Sequence, residues 1–393
     1  MKKLNIYLVI AGFILAFTSC KNPEVGGSSP CITTFTDSSD SHPKAATYQN
    51  LIDHYTQAGI PGITLLIKDN NGLWIGSSGK ADIENNVDMA PCTVSKVASI
   101  TKMFMGTLTL MLVDEGVLDL DAKISTYLPA DMVDKIANAD EATLRQIMNH
   151  TSGIYDVVSD QGFYLDLLNN PEQHWTQESI LEHVYGKDAA FPCGTDQGYS
   201  NTNYLLISLI LEEATGKKHY DLLHERIIDP LNLQNTYYFY HDALPAYTAQ
   251  GYYDLYNNGN IMNLTNYNTG SGNGYTGLYM DVRDLQLFIE GLFVNKVLLS
   301  DSMLNIMQTF TDVDPENGRA FGLGIYKDFL NGAPDEYGLG HRGRDLAYSA
   351  DAFYFPKNGT VMAFIINYGT NGNSAVGDLF FEFRDELEVE IFN

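Results

Sequence analysis

A serine and a lysine three residues apart, a tyrosine and asparagine a hundred residues later, and a late histidine are the side chains able to do acyl-transfer chemistry here. The first pair lies in Ser99-Ile100-Thr101-Lys102. A serine hydroxyl is a weak nucleophile until a neighbouring base takes its proton. A spacing of three places both side chains on one face of a helix's first turn. The run that follows, to Val113, is almost continuously apolar, and a helix apolar all round is buried. Burial lowers a lysine's pKa and makes the amine a usable base. The start of the same helix points free backbone N–H groups at a reacting carbonyl, where oxyanion charge develops. Ser-x-x-Lys also occurs from Ser41 and Ser77, but only the Ser99 copy opens an apolar helix.

The second group is Tyr199-Ser200-Asn201. A tyrosine there can pass a proton to a leaving group, and an asparagine can hold both a substrate amide and the lysine. Tyr-x-Asn recurs from Tyr48 and Tyr256, and a loop capping the next helix would explain the motif equally well. The third group, His341-Arg342-Gly343, is the only His-x-Gly in the chain.

Positioning these groups requires a scaffold that brings distant segments together. Gly62 to Lys68 and Leu73 to Gly79 are strand-like around the turn 69–72, a hairpin signal. Phe321 to Lys327, Ala352 to Pro356 and Val361 to Asn367 also read as strands. Helical patterns fill much of the interval, at Thr143 to Asn149, Thr176 to Tyr185 and Tyr204 to Thr215. Gly251 to Gly277 reads as long loops, Asp284 to Phe293 as helix, and Asp378 to Val389 as a closing amphipathic helix. Strands at both ends with helices between predict an α/β fold: one sheet built from about 45–115 and 270–393, with a helical part inserted at about 116–269.

The 393 residues, 45% hydrophobic and 18% charged, suffice for a real core. The net charge of −26 argues against a nucleic-acid partner, which requires a cationic face. Residues 1–19 have the form of a signal peptide: Lys2 and Lys3, an apolar run from Ile6 to Phe17, then small residues before Cys20. Cys20 is the expected lipidation site, making the protein an exported bacterial lipoprotein anchored to a membrane and facing the periplasm or cell surface. Residues 20–44, rich in Ser, Thr, Pro, Gly and Asp, read as a flexible linker to a body spanning 45–393. Cys31, Cys92 and Cys193 remain, and sequence cannot choose among their possible pairings.

The segment Val97 to Lys102 resembles the nucleophile motif of class C β-lactamases, DD-peptidases and related esterases. Thr143 to Gly153, Phe191 to Tyr204, Gly274 to Phe288 and Gly340 to Gly343 resemble further motifs of that serine β-lactamase and penicillin-binding-protein family, in its order. The resemblance implies the family's antiparallel sheet flanked by helices, an inserted all-helical domain, and a site in the cleft between them. It implies that Ser99 forms an acyl-enzyme, with Lys102 and Tyr199 handling its proton. Asn201 would hold the substrate and His341 would support the tyrosine. The backbone N–H groups of Ser99 and Arg344 would form an oxyanion hole, and Arg342 and Gly343 would line the substrate site. No metal or organic cofactor is implied. Arg342 stands where the family usually has Thr or Ser, so it can either fork a substrate carboxylate or face solvent. Arg344 and Ala347 replace common glycines, which implies a bulkier rim. These departures favour a DD-peptidase- or esterase-like hydrolase of small peptides or esters over a β-lactamase acting on β-lactams. A catalytically inactive binding protein is the rival of a different class. Oligomeric state is left open.

Overall fold

The computed structural model describes residues 25–32, 39–314, 318–370 and 374–393. Among them, eight strands make one antiparallel sheet from both ends of the chain. β1 (Gly62–Asp69), β2 (Gly72–Asp82) and β3 (Val87–Asp88) come early. β4 (Ala320–Phe321), β5 (Tyr326–Asp328), β6 (Gly338–Arg344), β7 (Ser349–Phe355) and β8 (Thr360–Ile366) come late. The order is β3-β2-β1-β8-β7-β6-β5-β4, so early and late segments meet at β1 and β8. There Ile63 faces Ile366, and Leu65 faces Phe364. From Gly62 to Ile67 every residue of β1 is buried, the pattern of a strand covered on both faces.

Five helices pack on the sheet or behind the site: α1 (Ala45–Ala58), α2 (Thr101–Asp114), α3 (Asn201–Thr215), α4 (Val282–Ile289) and α5 (Ala375–Phe392). On one face, Phe364 of β8 packs its ring against Phe380 and Phe383 of α5, and Tyr55 of α1 also meets Phe383. On the other, Phe293 just after α4 stacks on Tyr354 of β7, and Phe288 of α4 stacks on Phe104 of α2. The central helix α2 thus lies inside the molecule, as its composition requires. Gly106 of α2 approaches Gly324 so closely that a Cβ on it would sit 2.9 Å from the Gly324 Cα. This contact brings the segment leading into β5 against α2.

The architecture is the expected α/β arrangement, with two refinements. The inserted part is helical for most of its length but carries short strands. Thr236–Tyr238 pairs with Leu278–Met280, which also pairs with Ser95–Lys96, and Tyr252–Tyr253 pairs with Met262–Asn263. Also, α3 starts three residues before the predicted Tyr204, at Asn201 itself. It ends as expected at Gly216, which adopts a left-handed conformation.

The linker reading of residues 20–44 needs correction where the structure describes it. The Ser28 backbone N–H donates to Asp82 Oδ2 at 2.8 Å, its hydroxyl to the Thr248 carbonyl at 2.5 Å, and the Val25 N–H to Asn266 Oδ1 at 3.0 Å. Cys31 is disulfide-bonded to Cys92, while Cys193 is a free thiol. Backbone N–H groups and the Ser28 hydroxyl of this segment are satisfied by partners on the body instead. Residues 1–19 and Cys20 lie outside the described residues. No helix among the described residues is long and apolar enough to cross a membrane.

Candidate active site

From Cys92 to Leu110 every residue is buried except Ser99, which is half-exposed. Local backbone geometry accounts for this. Ala98 holds a left-handed conformation, φ 49°, unusual for a residue with a Cβ. It turns the chain from the strand pair at Ser95–Lys96 into the short 3₁₀ turn Ala98–Ile100 that precedes α2. Thr101 locks the turn: its hydroxyl donates to the Ala98 carbonyl at 2.7 Å and accepts the Leu278 N–H at 3.1 Å. The edge of β6 closes on the same turn. A Cβ on Gly343 would lie 2.1 Å from the Val97 carbonyl oxygen, so only glycine lets the strand approach.

Lys102 is fully buried, and its Nζ has three polar neighbours: Ser99 Oγ at 3.1 Å, Asn201 Oδ1 at 2.8 Å and the Tyr275 carbonyl at 2.7 Å. The rings of Tyr199, Tyr275 and Tyr204 surround it at 5.0, 5.6 and 5.7 Å from their centres. Burial pushes the Lys102 pKa down to about 7, against the opposing pull of Asp156 and Asp345. Near neutral pH the amine is therefore substantially unprotonated.

Tyr199, beside the lysine, and His341 complete the set of titratable groups around Ser99. Burial raises the Tyr199 hydroxyl pKa well above that of a free phenol; the Tyr326 hydroxyl adds to the shift and the Ser99 hydroxyl pulls against it. His341 is held neutral by burial and by the nearby Lys102. Its Nδ1 lies 2.6 Å from the Arg342 carbonyl. A carbonyl only accepts, so Nδ1 carries the proton and Nε2 is left as an acceptor. The His341 ring stacks on Tyr326 at 4.0 Å and lies 6.4 Å from Tyr199, centre to centre. Among the described residues no hydrogen bond joins His341 to Tyr199; Tyr326 stands between their roles. Tyr326 had no sequence signal beyond lying in a predicted strand.

The cleft in front of Ser99 has a volume of about 610 Å³. Ser99, Tyr199, Asn201, Arg342 and Arg344 all line it, so the structure gathers the expected groups. The two arginine side chains are engaged elsewhere. Arg342 donates Nη2 to Asp328 Oδ1 at 2.6 Å and pairs its Nε with Asp328 Oδ2. Its Nε and Nη2 are thus taken by an internal carboxylate while the residue still lines the cleft. Arg344 Nη1 donates to the Gly343 and Ala350 carbonyls and pairs with Asp351, with the guanidinium 4.5 Å from the Phe380 ring. Arg384 of α5 bridges Asp351 and Asp328 at 2.7 and 3.1 Å. Asp345, next after Arg344, forms a buried pair with Lys96 at 2.7 Å.

A model of the Beta-lactamase family matches residues 48–383. The chain belongs to that family. Within the family, it resembles a D-stereospecific amidohydrolase from a Streptomyces species at 28% identity, with a TM-score of 0.74 over 85% of this chain and 97% of that one. A D-amino acid amidase from Ochrobactrum anthropi SV3 shares the fold at 23% identity, with a TM-score of 0.76 over 88% and 99% of the two chains. Among curated relatives, the Staphylococcus aureus (strain MW2) Protein flp is 28% identical over 209 residues, 51% of this chain and 41% of its own. A Staphylococcus aureus teichoic acid D-alanine hydrolase is 27% identical over 239 residues, 60% of this chain and 55% of its own. The chain thus spans about half or less of the length of these curated relatives.

Proposed function

We propose that the protein is a serine hydrolase that cleaves an amide or ester through an acyl-enzyme on Ser99. The observation that carries this reading is the set of partners around Lys102. A neutral amine has two N–H donors and one lone pair. The Asn201 amide oxygen and the Tyr275 carbonyl can only accept, so they take both N–H groups. The lone pair is left for the hydrogen of the Ser99 hydroxyl. As Oγ bonds to the substrate carbonyl carbon, its proton passes to Lys102, and the oxyanion is received by the backbone N–H groups of Ser99 and Arg344. Tyr199, kept a neutral phenol by burial, acts as proton donor to the departing amine or alcohol. Its proton is replenished from the Lys102 ammonium, and water then releases the acyl group.

The substrate class inferred is an amide or ester of a D-amino acid. The reading is supported by what two relatives are called, a D-stereospecific amidohydrolase and a teichoic acid D-alanine hydrolase. Export and a lipid anchor on Cys20 belong to the same proposal; a disulfide between Cys31 and Cys92 accords with an oxidising compartment. The test is intact mass after exposure to a fluorophosphonate and, separately, to a penicillin, for wild type and Ser99→Ala. An adduct that requires Ser99 supports the hydrolase. A lasting penicillin adduct favours a DD-peptidase-like enzyme, and drug loss without an adduct favours a β-lactamase. Wild type that takes up neither reagent overturns the proposal in favour of a binding protein.

A further inference from the structure

Asp156 lies three residues beyond Gly153, where it caps the short turn Val157–Ser159 and faces the first turn of α3. Its Oδ1 accepts the Asn201 backbone N–H at 2.8 Å and the Asn201 side-chain N–H at 3.1 Å; Oδ2 lies 3.4 Å from that same nitrogen. The Val158 N–H adds a longer bond at 3.3 Å. The other end of the Asn201 amide, Oδ1, accepts from Lys102 Nζ. An amide that can be turned end for end is thereby fixed: a carboxylate on one side requires the NH₂ there and leaves oxygen towards the lysine. No other described side chain touches both Asn201 nitrogens.

We propose that Asp156 is a positioning residue of the acylation machinery, one that orients Asn201 and, through it, stabilises the ammonium Lys102 becomes when it takes the Ser99 proton. The inference rests on the acyl-enzyme reading above. No covalent bond changes at Asp156 and it takes no proton; its charge sits one amide away from the charge that forms. Burial opposes its ionisation, while the Asn201 and Val158 donors and Lys102 favour it. The other groups facing Lys102 are the Ser99 hydroxyl, Asp345, His150 and His341, and the phenols of Tyr199, Tyr204 and Tyr275. Of these only Asp156 and Asp345 favour the ammonium, and Asp345 is already paired with Lys96.

The test is the rate of Ser99 labelling by a fluorophosphonate between pH 5 and 9 in wild type, Asp156→Asn and Asp156→Glu. Wild type is expected to show one rising limb centred near pH 7. In Asp156→Asn, which keeps the shape and removes the charge, the limb moves to lower pH by about one unit. The plateau falls about tenfold, the equivalent of one pKa unit of lost ammonium stabilisation. Asp156→Glu keeps the charge and holds the limb within a few tenths of a unit of wild type, as a fully structural role would not require. Thermal unfolding of each variant accompanies the rates. A folded Asp156→Asn whose limb stays in place overturns the inference, whatever its plateau. So does a folded Asp156→Glu whose limb moves down by about one unit although the charge is kept, which also decides the matter should the Asn variant not fold. Wild type that is not labelled at Ser99 removes the acyl-enzyme reading itself, a separate outcome.

Discussion

Replacing Lys102 by methionine isolates what it costs to keep a base inside the protein. An ordinary lysine has a pKa of about 10.4, and burial brings Lys102 to about 7. At about 1.4 kcal/mol per unit this depression amounts to roughly 5 kcal/mol. At pH 7 it raises the unprotonated fraction about a thousandfold over an ordinary lysine. The sign is fixed by linkage. Between pH 7 and about 10.4 the unfolded chain binds a proton that the folded chain does not, so wild-type stability rises with pH across that window. Below pH 7 both states are protonated and the full penalty stands. Lys102→Met keeps much of the volume and carries no proton, so its stability lacks this slope. It also strips two buried acceptors, Asn201 Oδ1 and the Tyr275 carbonyl, which costs about 1–3 kcal/mol each. The net effect at pH 7 is therefore modest, and the informative quantity is how the difference between the two proteins changes with pH. Urea unfolding at intervals from pH 6 to 10 should show wild type gaining about 4 kcal/mol on the variant. A difference that stays constant across that range refutes the depressed lysine, and with it the base.

Acylation by wild type should fall about fiftyfold between pH 7 and pH 5, as protonation removes the base; stopped-flow ester hydrolysis reads this directly. Gly343→Ala should lower acylation by at least about tenfold, because its Cβ would meet the Val97 carbonyl at 2.1 Å and push β6 from Ser99; titration of active serine checks it. Asp345→Ala leaves Lys96 charged in a buried site and should lower stability by about 3–5 kcal/mol in urea unfolding. Cys31→Ser opens a loop of 61 residues and should lower stability by up to about 4 kcal/mol, with kcat/KM within about twofold of wild type. Para-nitroanilides of D- and L-alanine should be cleaved at rates favouring the D form; equal rates would remove the D-amino acid class.

Much of the fold was legible because its signals are local. The hairpin Gly62 to Gly79 and the apolar run from Ser99 follow from strand and helix periodicity, and the separated motifs needed only a common sheet to meet. What the chain did not announce depends on long-range contact. Asp156 looks like any loop aspartate until α3 places Asn201 above it. Tyr326 looks like any strand residue until His341 stacks on it. Arg342 and Arg344 line the cleft, but periodicity cannot reveal that Asp328, Asp351 and Arg384 wait behind β6 to engage their guanidinium groups. Ala98 gave no sign of its left-handed backbone, since a position that favours glycine is here held by an alanine.

The stitching of residues 25–32 to the body has a consequence for the anchor proposed on Cys20. Val25 is already bonded to Asn266, so a lipid on Cys20 would leave five residues of sequence between the anchor and the body. Five residues of chain span at most about 18 Å. The proposed anchor would therefore confine the enzyme to a thin layer next to a membrane. Its substrates would have to come to that layer, either as membrane-borne molecules or as small ones diffusing past, while a bond fixed several nanometres away would stay out of range. Lengthening the segment between Cys20 and Val25 would therefore widen the zone the enzyme can work in without altering its chemistry.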